Sequence, residues 1–262
     1  MYQHFLITRF NLKKTDWNID KNSREVLDSL WLKRRVELFK DFCLPSVLGQ
    51  NSKNFKWLIF FQEGSQKDVK DLLSKFDKFP FIEAVFLNGY EEFQNNLPDI
   101  IQAKLKNNPE WLLTTRLDND DALQNNYIKE LQKALELPVH NTVFHFPNGL
   151  FLDLVKKIKL GYYKYPLNQF VSLLEKIEEN KIKTVLSNEH DKWGENYSIQ
   201  ALPMQDAWLQ ITHEQNMVNS FKGVPVFSNR LSKFSIKPVS FKWNYDLNLV
   251  WKGFKNKLKS LY

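Results

Sequence analysis

The chain has 262 residues, 43% of them hydrophobic and 15% aromatic, with a net charge of +7 and a pI near 9.2. That composition supports one large α/β domain with a sizeable core and excludes a disordered chain. A lone cysteine, Cys43, excludes an intrachain disulfide, and no run of 18 apolar residues reads as a membrane span.

His4 to Phe10 reads as a short buried strand ending in Thr8-Arg9-Phe10-Asn11, and Asn11 to Asn22 as a polar loop. The opening stretch is too short and polar for a signal peptide, so a cytoplasmic location is expected. Ser23 is placed to cap a helix running to about Leu44, with Leu32, Val36, Phe39 and Cys43 on one face and Pro45 limiting its far end. Phe55 to Phe61, FKWLIFF, is a nearly continuous apolar run, the mark of a strand buried on both faces. After the Glu63-Gly64-Ser65 turn, Asp68 to Phe76 reads as helix, Phe81 to Leu87 as strand, Ile100 to Lys106 as helix and Trp111 to Thr115 as strand. Tyr127 to Leu135 returns to helix. This β-α-β-α-β-α-β order predicts an α/β fold with a Rossmann-like, mostly parallel central sheet flanked by helices. Ligands of such sheets bind beyond the carboxyl ends of the strands.

The second half is less regular. Thr142 to Phe146 and Gly149 to Val155 read as strands around Pro147-Asn148-Gly149, and Phe170 to Glu179 as a helix. A short strand is expected at 184–186 and another short element at 207–213. No repeat, linker or low-complexity tract divides the chain, so residues 1–262 are expected to form a single domain.

Asp118-Asn119-Asp120-Asp121 follows the fourth strand. Carboxylates gathered there repel one another unless a cation or a donor network offsets the charge. Mg²⁺ and Mn²⁺ take such oxygen ligands together with substrate phosphates, and a metal held there would stabilise a departing diphosphate. A helix N-terminus, where Asp is favoured at the cap and in the first turn, would use the same residues. Both readings stand on the motif alone; the preceding apolar strand and Arg116 tilt it towards function.

Taken together, several blocks resemble the nucleotide-sugar-dependent glycosyltransferases of the A-type fold, and among these the rhamnosyltransferase family of bacterial polysaccharide loci. They are Thr8-Arg9-Phe10, Trp57-Leu58-Ile59-Phe60-Phe61, Thr115-Arg116-Leu117-Asp118-Asn119-Asp120-Asp121 and Trp208-Leu209-Gln210-Ile211-Thr212-His213. The resemblance implies a single-domain A-type glycosyltransferase fold. Residues 1–125 would form the nucleotide-sugar-binding half, 126–230 a smaller acceptor-side half and 231–262 a basic amphipathic tail. It implies that Phe10 stacks on or flanks the base, that Thr8 and Arg9 line the nucleotide with Arg116, and that Asp118 faces the ribose or metal. Asp120 would be the metal ligand, with His190 as a further ligand and His213 its rival. The implied cofactor is Mn²⁺ or Mg²⁺. The implied partners are a nucleotide diphosphate sugar donor and a saccharide or lipid-linked acceptor.

The chain departs from that pattern at two places. The turn after the second strand has Gln62-Glu63 where relatives have two aspartates, so the first acidic contact to the base is either lost or replaced by the amide of Gln62. Asn168-Gln169 stands where many relatives carry a Glu-Asp pair supplying the catalytic base, and neither residue can act as one. Inverting transfer still needs a carboxylate to deprotonate the acceptor hydroxyl. The candidates are Glu175, expected on one helix face with Asn168, and Asp191 beside His190, with Glu189 and Asp206 behind them.

From Leu231 onward the tail carries seven lysines and one acidic residue, interleaved with Phe241, Trp243, Trp251 and Phe254. Such a stretch is a solvated face or a peripheral contact with an anionic membrane, at the inner face in a cytoplasmic protein. Two other functions fit parts of the composition. A nucleic-acid-binding module would use the positive charge and aromatics, yet charge outside the tail is near balance and no nucleic acid is expected as a partner. A metal-dependent phosphotransferase would use the acids, yet no phosphate-cradling Gly loop is present.

Overall fold

The computed structural model describes residues 1–14, 29–136, 141–155, 158–178, 181–194, 197–214, 221–242 and 244–251. Most of the expected loop after Asn11, the Ser23 cap, and Trp243 and Phe254 of the tail lie outside them.

The strands in chain order are β1 (Tyr2–Arg9), β2 (Lys56–Gln62), β3 (Ile82–Leu87), β4 (Trp111–Arg116), β5 (Ala122–Leu123) and β6 (Thr142–His145). They continue with β7 (Asn148–Asp153), β8 (Lys159–Lys164), β9 (Ser172–Lys176), β10 (Ser198–Ala201), β11 (Trp208–Thr212) and β12 (Val224–Pro225). The helices are α1 (Ser29–Leu38), which runs on through a π-helical turn (Phe39–Cys43) into α2 (Leu44–Leu48), then α3 (Lys70–Phe76), α4 (Tyr90–Gln102) and α5 (Tyr127–Lys133).

Two sheets result. The larger has seven strands in the order β10-β6-β9-β4-β1-β2-β3, and the smaller five in the order β12-β8-β7-β11-β5. β4, β1, β2 and β3 are mutually parallel, as the apolar runs predict. In β2 the five central residues are all buried because both faces are covered. Leu6, Trp57, Ile59 and Phe61 pack on one face against Phe39 and Cys43. Phe5, Ile7, Leu58 and Phe60 pack on the other against Phe93, Leu97 and Ile101 of α4.

The chain lays down β1, β2 and β3 outward in one direction and then returns to place β4 on the opposite side of β1. The order reverses between β1 and β4, and a crevice opens at such a switch point beyond the carboxyl ends. β4 delivers the acidic segment there, and β5 then crosses into the smaller sheet by pairing with β11. The segment therefore lies at the seam of the two sheets. Trp208 pins the seam: its indole N–H donates to the Phe146 carbonyl at 2.8 Å, and its ring stacks on Phe170. Gly149 makes room for it, since a Cβ there would lie 2.1 Å from the indole.

Several expectations are corrected. The helix expected over Phe170 to Glu179 is not formed in its described part, 170–178: β9 runs antiparallel between β4 and β6. A short apolar run such as Phe170 to Leu174 suits a buried strand or a buried helix equally, and the neighbouring strands decide. The helix expected at Ile100 to Lys106 is α4, which starts ten residues earlier and carries Pro98 inside it. Pro45 does not close the long helix; it sits in the first turn of α2, where its missing N–H is harmless. No strand forms at 184–186, where Thr184 has a φ of 74°. Pro147-Asn148-Gly149 is not a hairpin turn, because β6 and β7 belong to different sheets. At the far end, residues 245–251 are helical, with Leu247, Val250 and Trp251 exposed.

Candidate active site

β1 and β4 end side by side, with Ile7 opposite Arg116. Their extensions bring Arg9, Arg116 and Asp118 together. The Arg116 guanidinium donates to both Asp118 oxygens, at 3.0 Å and 3.3 Å, and Arg9 Nη2 lies 3.6 Å from Oδ1. Burial pushes the Asp118 carboxyl up, but Arg116 and Arg9 outweigh it and hold the carboxyl below its ordinary range. Arg9 also donates to the Tyr90 hydroxyl at 3.1 Å and lies over that ring at 5.4 Å.

Asp120 points the other way, towards α1 and the end of β11. Arg35 Nη1 donates to its Oδ2 at 2.6 Å, and His213 Nε2 meets the same oxygen at 2.8 Å. Burial opposes the charge on Asp120, yet Arg35 and His213 hold its carboxyl far below the ordinary range. Burial lowers the His213 imidazole, with Asp120 acting in the opposite sense, so the neutral ring donating its Nε2–H is the form favoured here. Asn119 donates to the Phe10 carbonyl and accepts from Arg35 at 3.2 Å.

Asp121 is not a helix-start acid. Its Oδ1 accepts from the Ile211 amide at 2.9 Å, and Gln169 approaches Oδ2 at 3.5 Å. Burial, then Asp120 and Asp118, push this carboxyl well up. Asn168, wholly buried, donates to the Phe146 and Tyr165 carbonyls. Of the Asn168-Gln169 pair, Gln169 thus borders the acidic cluster.

The remaining candidates scatter. Phe10 is 3% exposed, packed between Phe39 at 5.2 Å and Phe61 at 4.7 Å, so its ring faces the core and not a base. Thr8 is fully buried, and its hydroxyl accepts from the Trp57 indole at 2.9 Å. The Gln62 side-chain oxygen accepts from the Lys13 amide at 2.9 Å, and the Gln62 backbone N–H donates to Asn11 Oδ1 at 2.9 Å, tying the loops after β1 and β2 together.

Glu175 pairs with Leu112 near the amino end of β4, three residues back from Thr115 and roughly 10 Å from the crevice by strand rise. Its two oxygens accept from the Lys183 and Thr184 amides, each at 2.8 Å. The helix that would have set it beside Asn168 does not exist. Asp206 is wholly buried and held by Arg230 and Lys233. His190 meets the Tyr165 hydroxyl at 3.2 Å; burial lowers its imidazole, and Arg116 lowers it further. Asp191 follows it and is exposed.

The donor set does not fit a resident metal as arranged. Asp118 is engaged by Arg116, Asp120 by Arg35 and His213, and Asp121 by the Ile211 amide. Among the described residues, no group of three or more His, Cys, Asp or Glu side chains is placed to hold a metal ion. Arg35 and Tyr90 escaped the sequence reading. Nothing in Lys33-Arg34-Arg35 says which cation turns inward, although Trp31, one turn earlier, carries the Arg35 guanidinium at 5.0 Å.

A family model described as "Putative rhamnosyl transferase" matches residues 3–224. No curated protein matches the chain. Among solved structures, the inositol-1-phosphate CTP transferase from T. maritima aligns at 10% identity with a TM-score of 0.33, over 80% of this chain and 85% of that one. Mouse xyloside xylosyltransferase 1 aligns at 9% identity with a TM-score of 0.33, over 67% of each chain. Similarities this distant decide nothing about chemistry.

Proposed function

The chain belongs to the rhamnosyl transferase family, whose model spans residues 3–224, and from that premise we propose how this glycosyltransferase works. It takes a sugar, rhamnose by the family description, from a nucleotide diphosphate donor and passes it to a hydroxyl of a saccharide acceptor in surface polysaccharide synthesis. One observation carries the donor site: Arg9 and Arg116 converge on Asp118 where β1 and β4 part. Guanidinium forks match phosphate geometry, and a carboxylate beside them suits a ribose hydroxyl.

Transfer with inversion requires three coupled events. The bond from the anomeric carbon to the diphosphate oxygen breaks, and its electron pair leaves with the diphosphate. The acceptor oxygen bonds that carbon from the opposite face, and its proton passes to a carboxylate. Asp191 is our candidate for that base, because it is exposed and follows His190, which meets Tyr165, whose carbonyl accepts from Asn168. The exposed Leu247, Val250 and Trp251, near the tail lysines, support a peripheral membrane contact that would bring a lipid-linked acceptor within reach. No helix among the described residues is long and apolar enough to cross a membrane.

A second reading, that Mn²⁺ or Mg²⁺ enters with the donor on Asp120, is favoured by the Asp120–His213 contact and requires Arg35 to give way.

The test is a thermal-shift screen of nucleoside diphosphates followed by a donor-sugar screen. A ligand of the folded state raises the melting temperature by mass action, and Arg116→Ala should erase the rise. No response to any nucleotide, with a response to DNA, would sink the reading.

A further inference from the structure

Three arginines meet the acidic segment, and one of them stands apart from the donor-facing pair. Arg35 comes from α1, on the side of Asp120 away from Asp118. Its side chain is 11% exposed, so a full charge is held almost out of water. Trp31 supports the guanidinium from one side, while Asp120 and Asn119 accept from Nη1. Such a group is held in one orientation, and its planar fork keeps its charge under all ordinary conditions. Asp120 Oδ2 thereby has a permanent cation at hydrogen-bond distance, in the place where a divalent ion would otherwise sit.

We infer that Arg35 is the resident cation of the acidic cluster, and that it lets the site bind the donor diphosphate without a divalent metal. This rests on the donor reading above. Burying a fixed guanidinium beside Asp120 supplies the positive charge in advance. A metal arriving at Asp120 would have to displace a guanidinium that Asp120, Asn119 and Trp31 already hold almost out of water. His213, whose Nε2 also meets Asp120 Oδ2, completes the set. Removing the Arg35 charge would leave Asp120 and His213 facing each other as a carboxylate and an imidazole, which are ligands that suit Mn²⁺.

The experiment is calorimetric titration of the purified chain with UDP, GDP and dTDP, in EDTA and again with MnCl₂. For the wild type, the diphosphate that binds should do so with affinities within about twofold of each other in the two buffers. Arg35→Gln should lose at least about tenfold in EDTA, as expected for a lost charge-assisted contact, and regain affinity with Mn²⁺. Arg35→Lys keeps the charge and guards against a folding defect; it should bind in EDTA more tightly than Arg35→Gln. A wild type that needs Mn²⁺ for binding overturns the inference, and that arm depends on no variant. An Arg35→Gln affinity in EDTA equal to wild type also overturns it. No binding of any diphosphate by the wild type in either buffer would instead remove the donor reading itself.

Discussion

Replacing Phe10 by Ala separates two roles that the same residue could have at the end of β1. In the structure its ring is 3% exposed, 4.7 Å from Phe61 and 5.2 Å from Phe39. Phe→Ala changes in cores cost about 3–5 kcal/mol, through lost transfer free energy and the cavity left behind. Phe39 and Phe61 are themselves wholly buried and held by Trp57, Phe76 and Phe86, so little collapse into the hole is expected. A chain of this size shifts its melting point by roughly 2–4 °C per kcal/mol, which puts the loss at about 6–20 °C. Circular-dichroism melts measure that loss, and nucleoside diphosphate titration well below the melt measures binding. Phe10→Ala should melt early and bind normally. A melting point lowered by under about 3 °C, together with a tenfold loss of nucleotide affinity, would mean that the ring faces a base after all.

Two further outcomes follow from the placement of other candidates. Glu175→Gln should keep turnover within about twofold while losing roughly 1–3 kcal/mol of stability, because an amide cannot accept from both the Lys183 and Thr184 amides, whereas Asp191→Asn should cut turnover by about 10²-fold or more; a reversal of these two results in a donor-hydrolysis-corrected transfer assay would return the base to Glu175. Burial drives the His4 imidazole down to about 3, so the folded state refuses a proton that the unfolded chain takes near its ordinary value; stability should be full above about pH 6.5 and fall by up to roughly 1.4 kcal/mol per unit as the pH drops towards 3, and a urea-midpoint series in which His4→Gln keeps the same slope would contradict this.

Local pattern carried the first half of the chain well, for a physical reason. β1, β2 and β4 are parallel strands buried on both faces, and such strands read as apolar runs, so FKWLIFF and WLLTTR announce themselves. The position of the acidic segment at a strand's carboxyl end followed from that order. β9 was not legible, because Ser172 to Lys176 earns its conformation from β4 and β6 on either side rather than from its own sequence. That single error displaced Glu175 from the amino end of the sheet to the wrong side of the crevice. Within the site, Arg9, Arg116, Asp118 and Asp120 could be read as candidates, but not Arg35, nor which charges pair. Arg35 lies 85 residues from Asp120, and His213 lies 93 away. No spacing rule reaches that far, and only the seam between the two sheets brings them together. Side-chain direction was the other hidden quantity: Thr8 and Phe10 alternate with Arg9 along β1, so only the arginine of that trio faces the crevice.

The acidic look of Asp118 to Asp121 misstates the charge that a ligand would meet. Asp118 and Asp120 ionise readily, each beside a guanidinium, while burial and those two neighbours push Asp121 towards its neutral form. Against two readily ionised carboxylates stand Arg9, Arg35 and Arg116, so the named groups leave the mouth of the sheet one positive charge in excess. A bare carboxylate cluster needs a cation brought to it before it tolerates a diphosphate. Here the cations are built in, and the aspartates hold and orient them: Asp118 fixes Arg116 through both of its oxygens, and Asp120 fixes Arg35 against Trp31. Preorganising the guanidiniums in this way removes the cost of ordering long side chains when the anion arrives. On this account the carboxylates serve the anion site indirectly, and losing one should loosen a guanidinium rather than simply remove a negative charge.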